Sequence, residues 1–283
     1  MRFLCLHGQG TSAAVFRSQT APFRSRLPPD YTFDFVDAPF PCKPYPGIDL
    51  IYPEPRNFSF WRDPSVPHIR AAHTWLLDLL NRSGPYDGAI CFSQGCSLIS
   101  SFLLYHAAEN PSAPLPFKLA VFICGGIPLP VLEDLGLPIS LRAWDISNHT
   151  GRLLLSTAAN LHAKAANPSS IKPGVSLWDE VPAEDLEHDP SEEPPSSDVY
   201  GLDFSSFPED LKIKIPTVHV YGAKDPKYVA SMQLVHFCEE NRTRTFDHGG
   251  GHDVPKRTHV SERIAELVEW AAEEAQRGGV GKV

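Results

Sequence analysis

The sequence predicts an α/β fold: one mostly parallel central sheet, helices on both faces and a cap-like insertion. Two observations carry this. Short runs of consecutive apolar residues recur along the chain, each bounded by Gly, Pro or Asp, and stretches of helical period lie between them. Strands buried on both faces read as unbroken apolar runs, the mark of a parallel sheet, and not as alternations. The 283 residues read as a single domain, 1–283, long enough to hide a large core.

In chain order, buried strands are predicted over residues 3–6, 33–36, 89–92, 119–124 and 217–221, and an edge strand over 242–246. Ile69, Ala72, Leu76, Leu79 and Leu80 repeat at helical spacing, as do Val260, Ile264, Leu267, Val268 and Ala271. A further apolar helical stretch, Leu98 to Leu104, follows residue 93. Two stretches break this rhythm. Residues 40–65, rich in proline and aromatics, read as a long loop, and such loops in compact domains are usually functional or disordered. Residues 127–212 form an insertion, helical in its first half and acidic and proline-rich over 179–198. The insertion reads as a cap over the carboxyl edge of the sheet, and 179–198 as a solvated, mobile surface loop.

Composition excludes several functions. Twenty-five Lys plus Arg against 34 Asp plus Glu give a net charge of −9, which argues against nucleic acid or an anionic membrane as the main partner. No apolar run approaches membrane-spanning length, and residues 3–6 are too short for a signal-peptide core. Cys5, Cys42, Cys91, Cys96, Cys124 and Cys238 show no zinc-ligand spacing. They read as free thiols, mostly buried, in a reducing compartment, so a cytoplasmic location is expected.

The chemistry centres on Cys91-Phe92-Ser93-Gln94-Gly95, between the run 89–92 and the helical stretch behind it. Strand, serine, then helix is the layout of a nucleophile elbow in an α/β-hydrolase, although Cys91 stands where the usual pattern has glycine. The plain alternative is a serine capping a helix. A serine nucleophile needs a histidine to take its proton and an acid to orient that histidine. Asp225, in the turn after the run 217–221, is the candidate acid; capping the next helix is its plain reading, and Asp253 and Asp203 are substitutes. His252, in His248-Gly249-Gly250-Gly251-His252-Asp253, is the candidate base, with His248 its competitor. A reading of His248, His252 and Asp253 as metal ligands is weaker, because no other ligand cluster supports it. Backbone N–H groups of Gln94 and of Gln9, in Leu6-His7-Gly8-Gln9-Gly10, are the candidate oxyanion donors, and His7 braces that loop. Tyr45, Tyr52, Phe58 and Trp61 are candidates to line an acyl pocket, with ordinary packing as the alternative.

Together, His7-Gly8, Phe92-Ser93-Gln94-Gly95, the turn 222–225 and Gly250-Gly251-His252-Asp253-Val254-Pro255 resemble the FSH-type fungal serine hydrolases, a branch of the α/β-hydrolases. Asp37-Ala38-Pro39 and Phe60-Trp61 add to the likeness, which is least over 127–212. The resemblance implies a Ser93-Asp225-His252 triad and hydrolysis of an ester or thioester with neither metal nor organic cofactor. Some members resemble the lovastatin-pathway thioesterase. The expected substrate is therefore a small acyl ester or an acyl-carrier-bound thioester, with a polyketide synthase carrier domain as a possible partner. A general carboxylesterase and a non-catalytic binding protein on the same fold are the alternatives.

Overall fold

The computed structural model describes residues 1–52, 56–165, 167, 178, 181–182, 185–189 and 192–279. Six strands form one sheet: β1 (Arg2–Leu6), β2 (Thr32–Val36), β5 (Gly88–Phe92), β6 (Leu119–Ile123), β7 (Thr217–Tyr221) and β8 (Thr243–Asp247). Their order is β2-β1-β5-β6-β7-β8, and every pairing is parallel. The three strands β5, β6 and β7 are buried at every position, as continuous apolar runs require. β8, expected as an edge strand, is the outermost on its side and half exposed.

The pleat sends alternate side chains to two cores. Phe3, Cys5, Ile90, Val121 and Val220 pack beneath α1 (Ala13–Arg24) and α8 (Thr258–Gly279). Leu4, Leu6, Cys91 and Phe122 pack with α3 (Val66–Ser83) and α4 (Gln94–Glu109). Helices therefore cover both faces. In the insertion the described α-helices are α5 (Leu129–Asp134) and the long α6 (Leu141–Ala165), with a 3₁₀ turn at Phe204–Ser206, and α7 (Tyr228–His236) follows β7. No helix among the described residues is long and apolar enough to cross a membrane.

Two expectations need correction. Residues 40–65 are not one long loop. They contain the antiparallel pair β3 (Phe40–Pro41) and β4 (Phe58–Ser59) and the short α2 (Ile48–Ile51). The segment is zipped to the loop after β1: Gly10 donates to the Phe58 carbonyl (3.0 Å), Phe58 to Thr11 (2.8 Å) and Tyr45 to Gly10 (2.9 Å). The stretch 179–198 falls partly outside the described residues, and those described are not all solvated. His188 stacks on Tyr228 with ring centroids 3.9 Å apart, and its Nε2 lies 2.9 Å from the Ala223 carbonyl. An acidic composition did not foretell that one aromatic ring within it would find an apolar partner.

Two buried histidines give the fold an acid sensitivity. His219 lies inside β7 with its Nε2 unpartnered among the described residues, and burial pushes its pKa down to about 3. Burial and the neighbouring Arg70 push His73 down to about 4. An unfolded chain binds protons at both sites below about pH 6.5 while the native chain refuses them, so stability is full above that pH and falls as the pH drops toward 3–4. The loss is on the order of a few kcal/mol. Melting temperatures between pH 7 and pH 4 should fall less steeply for His219→Phe than for the wild type; equal slopes would exclude His219 as a source.

Candidate active site

Ser93 joins β5 to α4 in a conformation that L-residues rarely adopt, φ 50° and ψ −113°. Its N–H donates to the Ile123 carbonyl on β6 (3.0 Å), and its carbonyl accepts from Cys96 (2.9 Å) and Ser97 (3.2 Å). The sharp turn is possible because Gly95 lacks a side chain. A Cβ there would stand 2.5 Å from the Leu6 carbonyl oxygen and 2.9 Å from that of His7, both immovable backbone. Cys91 is wholly buried on the α3/α4 side of the sheet, aligned with Leu6 of β1. Burial raises its thiol pKa well above the ordinary value, which leaves it a small apolar filler behind the turn.

The acid and histidine loops interlock beside this turn. Lys224 N–H donates to the Gly250 carbonyl (2.9 Å) and His248 N–H to that of Tyr221 (2.8 Å). A Cβ on Gly222 would fall 2.1 Å from the Gly250 oxygen, so glycine is needed for the approach. The result is an unbroken chain of hydrogen bonds. Asp225, fully buried, accepts at Oδ2 from His252 Nδ1 (2.8 Å), which leaves Nε2 to accept from the Ser93 hydroxyl (2.9 Å). Asp225 Oδ1 accepts the Lys227 N–H (2.7 Å), a turn bond just ahead of α7; the N-cap of that helix is Lys227, without a side-chain cap bond, so the capping reading of Asp225 does not hold. Phe92 packs against the His252 ring, with centroids 5.2 Å apart.

The other candidates separate. Asp203 is exposed and caps a 3₁₀ turn through the Ser205 N–H (3.0 Å). Asp253 is desolvated, which raises its carboxyl pKa. His248 turns its Nδ1 to the Gly250 N–H (3.3 Å), leaves its Nε2 unpartnered among the described residues, and is held below its usual pKa by burial. The set His248, His252 and Asp253 does not converge. Among the described residues, the ligand atoms that do converge belong to Cys124, Asp225 and His252, within 4.8 Å of one another, and two of those three are already hydrogen-bonded together.

The loop after β1 lies against the serine. A Cβ on Gly8 would meet Phe92 at 2.9 Å and the Ser93 Cβ at 3.2 Å, so this backbone can approach only as glycine. His7 is buried and holds the loop in shape. Its Nε2 accepts the Ala38 N–H (3.1 Å), so Nδ1 carries the proton and donates to the Gly8 carbonyl (2.7 Å). Desolvation lowers its pKa and keeps the ring neutral. Gln94 has a second use that its position in the motif did not suggest. Its side-chain oxygen accepts the Phe60 N–H (2.9 Å), and its amide donates to the Ser59 hydroxyl (3.1 Å), tying the aromatic segment to the elbow.

Ser93 and His252 open into a cavity of about 720 Å³, which Gln9 and Gln94 also line. Tyr45 and Trp61 lie on its wall as expected. Tyr52 and Phe58 do not: Tyr52 donates to the Ser18 hydroxyl (3.2 Å), and Phe58 packs toward His7 in the core beside β4. The insertion supplies Trp144 and Leu154 from α6, together with Trp178. Trp178 was not singled out in the sequence; its ring lies where a Cβ on Gly251 would be, 2.0 Å away, so the glycine-rich loop also makes room for an indole.

A parallel sheet carrying a serine on a strained strand–helix turn, with a histidine and a buried acid at neighbouring strand ends, defines an α/β-hydrolase. The family profile described as Serine hydrolase (FSH1) matches residues 1–264, and the chain belongs to this family of hydrolytic enzymes. It is 30% identical to Hydrolase FUB4 of Fusarium oxysporum f. sp. lycopersici, over 95% of this chain and 97% of that one. To Esterase alnB of Emericella nidulans it is 28% identical, over 98% of each. A solved carboxylesterase from Mesorhizobium loti aligns with 95% of this chain and 88% of its own at 14% identity and a TM-score of 0.47.

Proposed function

We propose that this enzyme cleaves acyl esters or thioesters through Ser93, His252 and Asp225. The observation that carries the reading is the hydrogen-bonded chain from the Ser93 hydroxyl through His252 to Asp225, opening into a cavity of about 720 Å³. His252 takes the Ser93 proton as Oγ attacks the acyl carbon, and Asp225 stabilises the imidazolium that forms. The Gln94 and Gln9 N–H groups hold the oxyanion. His252 then protonates the leaving alcohol or thiol, and water, activated by the same histidine, releases the acid.

Substrate size follows from the cavity, which lies within the roughly 300–1,000 Å³ common for small-molecule sites. Trp61, Trp144, Leu154 and Trp178 on its wall suit an apolar acyl chain of polyketide type, with residues 127–212 acting as the cap. Release of such a chain from an acyl carrier is the favoured role, and hydrolysis of small soluble esters is the second reading. Six free cysteines, five of them buried, fit work in the cytoplasm.

A fluorophosphonate probe tests the chemistry, and a panel of acyl thioesters matched against oxygen esters tests the substrate. The probe should leave an adduct on Ser93, and thioesters of longer chains should show the higher kcat/KM. No adduct on Ser93 overturns the mechanism; a preference for short oxygen esters overturns the carrier role alone.

A further inference from the structure

The cavity wall holds a cation that the reaction above does not use. Lys227 is half-buried, lines the cavity and stands two residues beyond Asp225. Its Nζ is turned against α6, where it donates to the Ser147 carbonyl (3.2 Å) and to the Thr150 hydroxyl (3.3 Å). Ser147, Thr150 and Gly151 line the same cavity, and a Cβ on Gly151 would already lie 3.5 Å from Nζ. An ammonium has three N–H donors, and here two find neutral acceptors at long range. Among the described residues no carboxylate lies within ion-pair distance of it. Asp225, the acid whose charge acts on it, is committed to His252 and to the Lys227 backbone. Burial lowers the Lys227 pKa, and the Asp225 charge only partly offsets this. A desolvated cation without a counter-ion is costly, and a ligand that brings the anion removes the cost.

We propose that Lys227 is a specificity-determining residue that anchors a carboxylate at the far end of the acyl chain, so that the preferred substrates are half-esters or half-thioesters of dicarboxylic acids. This rests on the esterase reading above. A single ammonium flanked by a carbonyl and a hydroxyl suits a monoanion. A phosphate dianion calls for several cationic donors; among the described residues no other cation donates to Ser147 or Thr150, and Arg62, also on the cavity wall, lies over the Phe40 ring. Leu154, one turn further along α6 from Thr150, and Trp144 line the same cavity and offer the methylene chain apolar walls.

The test compares monoethyl adipate with ethyl hexanoate, repeated for the succinate-to-suberate series, in the wild type, Lys227→Met and Lys227→Arg. Charge-assisted hydrogen bonds make the expected effect at least about tenfold. The ratio of kcat/KM for the charged over the neutral ester should fall by that factor in Lys227→Met, chiefly through KM, and Lys227→Arg should keep most of it. An unchanged ratio in Lys227→Met overturns the proposal. So does an equal loss on both esters, which would make Lys227 a clamp on α6. Fluorophosphonate labelling of Ser93 is measured on the same samples. Labelled enzyme without a charge preference refutes the anchor alone, whereas unlabelled wild type refutes the esterase reading and the anchor with it.

Discussion

A Ser93→Ala chain should fold normally and lose roughly 10⁴- to 10⁶-fold in kcat/KM on any ester the wild type cleaves. The hydroxyl is the one atom group removed; the β5–α4 turn is held by main-chain bonds to Ile123, Cys96 and Ser97 that alanine keeps. On the proposed mechanism His252 then has no nucleophile to deprotonate, and what remains is attack by water in the cavity. Steady-state rates alongside circular dichroism measure this, and a residual activity above about one hundredth would remove Ser93 from the mechanism. Ser93→Gly sharpens the point. It is equally inactive, but φ 50° costs glycine nothing, whereas a side chain there stores about 1–3 kcal/mol. Extra backbone freedom in the unfolded state takes back about 0.4–1 kcal/mol. The glycine variant should therefore melt above the alanine variant. The reverse order would mean that the turn is unstrained.

Asp225→Asn should lower kcat by about 10³- to 10⁴-fold with little change in KM. Asp225 uses its two oxygens separately, Oδ2 for His252 Nδ1 and Oδ1 for the Lys227 N–H. Asparagine keeps one acceptor for the start of α7 and presents an NH₂ group to His252. An NH₂ cannot accept from Nδ1–H, so the imidazole moves its proton to Nε2, the atom that must take the serine proton. The fold is spared and the tautomer is wrong. Asp225→Ala, which also removes the turn bond to the Lys227 N–H and leaves His252 unpaired in a buried place, should cost additional stability. Stopped assays on both variants, with melting temperatures, separate the two effects. Equal stability of Asn and Ala variants would show that the bond from the Lys227 N–H to Oδ1 contributes nothing to the turn before α7.

The sheet was legible because its strands obey one rule at every position. Residues 3–6, 89–92 and 217–221 are apolar on consecutive positions, and only burial on both faces asks for that. The geometry at Ser93, Asp225 and His252 was legible for a related reason: loops that approach closely need glycine, and a side chain on Gly95 or Gly222 would collide with backbone, one on Gly8 with Phe92 and one on Gly250 with His248. The acyl wall was only half legible. Tyr45 and Trp61 reach the cavity, but Tyr52 and Phe58, from the same aromatic segment, turn away because hydrogen bonds to Gly10 and Thr11 fix its path. Nothing in the local order of residues encodes those bonds. The side-chain tether of Gln94 and the position of Lys227 against α6 were hidden likewise, since each depends on an element far away in the chain.

The strand order also bears on how this enzyme comes into being. β1 pairs directly with β5, so Leu6 sits beside Cys91 about 85 residues on, and His252 meets Ser93 across 159 residues of sequence. Each of these closures spends chain entropy before any contact returns it. The pairing of β1 with β5 sets the loop after β1 beside Ser93, whereas His252 follows β7 and β8 at one edge of the sheet. A chain truncated before β7 would keep Ser93 and lack Asp225 and His252, its partners in the proposed mechanism. On the proposed mechanism, hydrolysis draws on residues from the middle of the sheet and from its far edge, so it belongs to the assembled sheet and not to any one segment.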